Sequence, residues 1–171
     1  ASDVYKRQAE QLREFEQAGG KLLEEFELQT SAAFTTNAAE AAKAWAFRKG
    51  LYAQVAEARP SGTTALLEDI AVPVGDLADT CGSLQQLFDA YGYDDAVIFG
   101  HAKDGNIHFL ITDRFEGEEN LTRYDGFNED MVDLVLSAGG NLKAEHGTGR
   151  VMAPYVRRQY GDELYLSLIH I

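Results

Sequence analysis

Cysteine is nearly absent from this chain: Cys81 is the only one in 171 residues. A single thiol excludes an internal disulfide, and it cannot hold an iron–sulfur cluster alone. Within Asp79-Thr80-Cys81-Gly82-Ser83-Leu84 it reads as a small helix-packing residue. Positive charge is also scarce. Fifteen Lys and Arg face 28 Asp and Glu, for a net charge of −13. So acidic a chain repels nucleic-acid phosphates and anionic membranes, which argues against both as general partners. No apolar run reaches the roughly 18 residues of a membrane-spanning helix. No secretory pattern, internal repeat or low-complexity linker is visible. A phosphate-cradling Gly-rich strand–helix turn is missing too, because Gly147-x-Gly149 is too short and follows no dinucleotide-binding unit.

What remains is apolar enough for a core, at 45% hydrophobic residues, and its length suggests one domain. A helix is expected over 4–18, ending at Gly19-Gly20. Lys21 to Leu28 is a strand candidate, extended by Ser31 to Thr35. Asn37 is a suitable N-cap for a helix through Ala58 with Trp45 on its apolar face. Pro60-Ser61-Gly62 breaks that helix. Thr63 to Val72 reads as a strand and Pro73 to Ala90 as a helix, with Leu77, Leu84, Leu87 and Phe88 at helical spacing. A hairpin over 95–113 follows, then a helix from Glu118 to Leu136 stopped by Gly139-Gly140. Asn141 to Glu145 is a short strand candidate, and Pro154 opens a last helix. Helices interleaved with a largely antiparallel sheet give an α+β layer with helices on one face.

Histidine is scarce as well, but its placement is informative. Three of the four histidines fall in two Gly-flanked stretches, Gly100-His101-Ala102-Lys103-Asp104-Gly105-Asn106-Ile107-His108 and Glu145-His146-Gly147-Thr148-Gly149-Arg150. Asp104-Gly105 between two apolar, β-branched runs is a strong hairpin signal. With those two residues as the turn, His101 faces His108 directly, Cβ atoms roughly 4.5–5.5 Å apart. Two imidazoles so placed can share one metal at about 2.0–2.1 Å each. Glu145 offers an anionic ligand. In an extended segment His146 points to the opposite side from it. A lone histidine is more often structural than a ligand, and a lone Asp-Gly is usually only a turn. Three histidines and a carboxylate together are the usual material of a catalytic metal site. Two other readings use the same residues: a metal-dependent hydrolase, weakened by the lack of a His-Glu-x-x-His helix, and a noncatalytic metal-binding module.

Gly-His-x-x-Asp-Gly-Asn-x-His followed by Glu-His-Gly-x-Gly-Arg resembles the C-terminal, substrate-binding half of FAD-linked D-2-hydroxyacid dehydrogenases of the vanillyl-alcohol-oxidase-like superfamily. The likeness is to the D-lactate and D-2-hydroxyglutarate types, including a long bacterial form with an iron–sulfur region further on. Trp45-Ala46-Phe47-Arg48-Lys49-Gly50-Leu51-Tyr52, Glu68-Asp69-Ile70-Ala71-Val72-Pro73 and Ala153-Pro154-Tyr155 support it, from about residue 20 to 165. Residues 1–8 and 166–171 resemble translated sequencing-adapter read-through. The expected native part is therefore residues 9–165, a piece truncated at both ends, and His170 carries no functional weight.

The resemblance implies a ferredoxin-like sheet whose uncovered face meets the FAD-binding domain of the parent chain. It implies that FAD takes the hydride from a 2-hydroxy acid and passes electrons to a downstream acceptor. By the same resemblance His101, His108 and Glu145 bind zinc or manganese, His146 is the general base, and Arg48 grips the substrate carboxylate with its planar fork. Asn106 is a candidate for hydrogen bonding to substrate or flavin. The bland alternatives place Arg48 in a surface salt bridge, Trp45 and Tyr52 in the core, and Lys103 and Lys143 in solvent. The expected location is cytoplasmic, with peripheral attachment to the inner membrane in the parent as an option. One position departs from the family: where the 2-hydroxyglutarate enzymes carry a lysine, this chain has Leu67. Lactate, glycolate-like acids and 2-hydroxyglutarate are therefore all candidate substrates.

Overall fold

The structure is a computed structural model that describes residues 2–24, 27–28 and 34–170. The chain divides into two units, residues 1–52 and 53–171.

The first unit holds α1 (Ser2–Leu23) and most of α2 (Ala38–Ala58). α1 runs straight through Gly19-Gly20, so the expected helix end there is wrong, and Lys21 to Leu23 are helical rather than extended. Two interior glycines cost a helix only about 1 kcal/mol each relative to alanine, which weakens it without breaking it. Most of the proposed extension at Ser31 to Thr35 lies outside the described residues. α2 starts where expected: Oδ1 of Asn37 accepts the N–H of Ala39 at 2.9 Å and of Glu40 at 3.4 Å. That satisfies two of the backbone donors a helix start leaves open. No residue of α2 is buried, and Trp45 and Tyr52 are exposed rather than core residues.

The second unit is an antiparallel three-stranded sheet with helices against one face. Its strands are β1 (Thr64–Ala71), β2 (Val97–His101) and β3 (Asn106–Asp113), in the order β1-β3-β2. α3 (Leu77–Tyr91) follows a single 3₁₀ turn at Val74–Asp76, and α4 (Glu118–Ser137) follows β3. Side chains alternate across a strand. Ile107, Phe109 and Ile111 of β3 therefore turn to one face with Ile70 of β1, where they join Leu84 and Phe88 of α3 and Phe127, Met131 and Val135 of α4 in one buried cluster. The Phe88 ring lies 5.5 Å from that of Phe109 and 5.9 Å from that of Phe127. Each such aromatic contributes about 1.5–3 kcal/mol by leaving water. The alternate residues, Asp69, Asn106, His108, Phe99 and His101, share the other face.

β1 is an edge strand, and the chain after α4 returns along it. Residues 141–146 form no strand; a single bridge joins Asn141 to Ala71. Lys143 is not solvated as expected but pairs its ammonium with the buried Glu68 carboxylate. A short α5 (Gly149–Met152), a 3₁₀ turn with Pro154 in its first positions, and α6 (Val156–His170) complete the chain. Among the described residues no helix is long and apolar enough to cross a membrane.

Candidate metal and catalytic centre

The β2–β3 connection is longer than a two-residue Asp-Gly turn. Ala102–Asp104 form a 3₁₀ turn, Gly105 closes it at φ +67°, and the register pairs His101 with Asn106 and Phe99 with His108. His101 therefore lies diagonal to His108 instead of opposite it, and the direct pairing expected from the sequence is wrong by two residues. The cause is a long-range contact. Gly105 O accepts the Val72 N–H at 2.9 Å, and a Cβ on Gly105 would sit 1.9 Å from Val72 O. The turn is thus shaped against the end of β1, with glycine as the residue that fits. Because a shift of two keeps the side-chain face while a shift of one inverts it, His101 and His108 still share a face, ring centroids 5.4 Å apart.

Glu145 Oε1 lies 3.2 Å from His101 Nε2 and 3.0 Å from His108 Nε2. The donor atoms of His101, His108 and Glu145 all fall within 4.8 Å of one another. Ligands at about 2.0–2.1 Å from a tetrahedral ion stand about 3.3–3.4 Å apart, so the set fits a zinc-sized cation with small adjustments. Two imidazoles and a carboxylate also leave a fourth position open, the composition of a catalytic rather than a structural site. A cleft of about 380 Å³ lies beside them, lined by Ala71, His101, Asp104, Asn106, Ala144 and Glu145. His108 is buried, whereas the side chains of His101, Glu145 and His146 are 44%, 52% and 40% exposed.

His146 does not point away from Glu145 as an extended segment would require. Its ring stacks on His108, centroids 4.8 Å apart and planes 3° from parallel. Its Nδ1 is 3.9 Å from Asp69 Oδ2 and its Nε2 is 3.9 Å from Glu145 Oε1, both beyond hydrogen-bond distance. The bends of residues 142–147, rather than strand geometry, put neighbouring side chains on the same cluster.

The sequence reading missed Asp69 as a site residue. Its carboxylate is fully buried. Oδ2 accepts the backbone N–H groups of Ala144, Glu145 and His146 at 3.1, 2.6 and 2.8 Å. Oδ1 accepts the Asn106 amide at 2.7 Å and lies 3.2 Å from His108 Nδ1. Burial raises the Asp69 pKa, but the N–H groups of Glu145 and His146 and the Asn106 amide outweigh it and hold the carboxyl below the usual range. Burial pushes the His108 imidazole below the usual histidine range, against the opposing pull of Asp69. Two adjacent carboxylates, Glu68-Asp69, between the aliphatic residues of one strand were the available signal, since burying a carboxylate demands a partner.

With Nδ2 committed to Asp69 and to Ile70 O, Asn106 keeps a buried Oδ1 that has no hydrogen-bond partner. Arg48 stands on α2 in the first unit, exposed.

The chain is 28% identical over 117 residues to the glycolate oxidase subunit GlcD of Bacillus subtilis (strain 168), covering 68% of this chain and 24% of that protein. It is 30% identical over 100 residues to the D-lactate dehydrogenase of Archaeoglobus fulgidus, covering 57% and 21%. To the D-2-hydroxyglutarate dehydrogenase of Xanthomonas citri pv. viticola it is 31% identical over 120 residues, covering 69% and 25%. The chain thus spans about a quarter of the length of these three relatives. The model of the FAD linked oxidases, C-terminal domain, matches residues 3–169, and the chain belongs to that family.

Proposed function

We propose that this chain is the substrate- and metal-binding part of a flavin-dependent dehydrogenase that oxidises a 2-hydroxy acid, D-lactate, glycolate or D-2-hydroxyglutarate, to the 2-oxo acid. The observation that carries this reading is the convergence of His101 Nε2, His108 Nε2 and Glu145 Oε1 beside an open cleft, in a chain of this family. Its relatives' names span all three acids. Leu67, on the same sheet face as Asp69, provides no cation for a second carboxylate.

Oxidation removes the hydroxyl proton and the α-hydride together. FAD, held by a part of the protein outside these residues, supplies the hydride acceptor that no side chain can be. A zinc or manganese ion held by His101, His108 and Glu145 would supply a Lewis acid that lowers the substrate hydroxyl pKa. The chain's own residues do the rest. His146, half-exposed and stacked beside the ligand set, takes the hydroxyl proton on a ring nitrogen. Asn106, which lines the cleft, is proposed for hydrogen bonding to substrate or flavin. Arg48, in the first unit, is proposed for the substrate carboxylate on the family resemblance alone. Asp104 and Glu145 make the cleft acidic, so binding an anion there depends on the cation. Electrons then pass to a downstream acceptor.

The test is anaerobic mixing of the intact parent with each acid while flavin absorbance is followed. Bleaching by at least one acid, abolished by chelation and restored by zinc or manganese, is the expected result. No bleaching with any 2-hydroxy acid by a flavin-replete, metal-replete parent would overturn the reading.

A further inference from the structure

The site has two halves: the β2–β3 hairpin brings His101 and His108, and the segment after α4 brings Glu145 and His146, which meet the hairpin at the Glu145 carboxylate and at the His108–His146 stack. One residue of a third element, β1, touches both. Asp69 turns one oxygen toward His108 Nδ1 and the Asn106 amide, and the other toward three successive N–H groups of the 144–146 backbone.

We infer that Asp69 is the positioning residue of this site: it keeps the proton of neutral His108 on Nδ1, so that Nε2 offers its lone pair to the cluster, and it pins the backbone that presents Glu145 and His146. This rests on the reading of His101, His108 and Glu145 as a cation site for its consequence, but not for its chemistry. A neutral imidazole has one N–H and one lone pair. His108 Nδ1 is buried, makes no aligned hydrogen bond, and has Asp69 Oδ1 3.2 Å away. A lone pair on Nδ1 would face a buried anion at that distance and be repelled; an N–H there is attracted. Glu145 approaches Nε2 from the other side at 3.0 Å, but its carboxylate is half in solvent whereas that of Asp69 is fully buried. Charges out of water act more strongly, so Asp69 decides the tautomer. A histidine whose far nitrogen is so held turns a fixed, more basic nitrogen to a metal.

The same carboxylate explains why the 144–146 backbone can bend against β1. Three N–H groups directed at one oxygen form an anion-binding nest. Neutralising the anion leaves a single amide oxygen for those three donors. In Asp69→Asn that oxygen is drawn to the nest, and the new NH₂ then faces His108 Nδ1. The ring must answer with a lone pair on Nδ1, moving its proton to Nε2, the atom the cluster needs bare.

The test uses the 171-residue chain labelled with ¹⁵N-histidine, metal-free, with long-range ¹H–¹⁵N correlation and the His108 signals assigned by their loss in His108→Gln. The wild type is expected to show His108 protonated at Nδ1 and slow amide exchange at Glu145 and His146. Asp69→Asn is expected to invert the tautomer and to weaken Zn²⁺ binding by about 10–100-fold in calorimetry. Wild-type His108 protonated at Nε2, or fast exchange at Glu145 and His146, overturns the inference without any variant. A folded Asp69→Asn with an unchanged tautomer overturns it as well. An Nδ1–H tautomer in a chain that binds no Zn²⁺ would instead fail the cation reading and leave the role of Asp69 standing.

Discussion

Replacing Gly105 with alanine tests whether the β2–β3 turn is built against β1. Three costs follow from its geometry. The residue sits at φ +67°, where an L-side chain costs about 1–2 kcal/mol. The added Cβ would lie 1.9 Å from Val72 O, so the backbones must part. Parting them loses the 2.9 Å bond from Val72 N–H to Gly105 O, worth about 1 kcal/mol. The sum is about 2–3 kcal/mol, before any strain in the displaced strand. For a chain of this size that lowers Tm by roughly 4–12 °C, and urea unfolding followed by far-UV circular dichroism measures it directly. Asparagine tolerates left-handed φ but also carries a Cβ. Gly105→Asn should therefore recover only the conformational part and stay well below wild type. Because this turn sets the β2–β3 register, both variants should also weaken Zn²⁺ binding. A loss under about 0.5 kcal/mol in Gly105→Ala, or full recovery in Gly105→Asn, would refute the reasoning.

Other outcomes follow from named contacts. His146→Ala in the intact parent should slow flavin reduction about 10²–10⁴-fold, with metal content by elemental analysis unchanged. Lys143→Met should destabilise by about 3–5 kcal/mol, since it strands the buried Glu68 carboxylate; Glu68→Gln added to it should recover much of the loss in urea unfolding. Asp69 has a folded pKa below its ordinary one, so its stabilisation is fully present above about pH 4 and is lost as the pH falls through the lower folded value. Asp69→Asn should be less stable near neutrality yet lose less of its remaining stability as the pH falls below about 4, which acid-unfolding curves of both proteins compare. On the proposed reading FAD is held by another part of the parent, and the purified chain should then carry no flavin absorbance.

Local signals carried well where local physics decides. The side chain of Asn37 caps α2 as expected, Leu84 and Phe88 pack as their helical spacing implies, and the apolar alternation of β3 sends Ile107, Phe109 and Ile111 to the core. The two Gly-flanked stretches were legible as neighbours in space, since the donor atoms of His101, His108 and Glu145 do converge. Non-local contacts were not legible. The turn length depends on the Gly105–Val72 contact, 33 positions apart, and the site kept its face only because the register moved by an even number. Lys143 reads as a solvent residue until Glu68 appears beside it. His146 turned to the cluster because Asp69 bends the 144–146 backbone, and nothing in Glu-His-Gly-Thr-Gly announces a carboxylate 76 residues earlier. α1 passes through Gly19-Gly20 because glycine pairs lower helix propensity without forbidding the helix.

Cation binding by His101, His108 and Glu145 is the step on which the proposed chemistry depends. Calorimetric titration of the metal-free chain with Zn²⁺ should give one site per chain. That site should be weakened at least about 100-fold by each of His101→Ala, His108→Ala and Glu145→Gln, and left intact by His146→Ala. A wild-type chain that takes up no Zn²⁺, or a site that survives His108→Ala and disappears in His146→Ala, would contradict it.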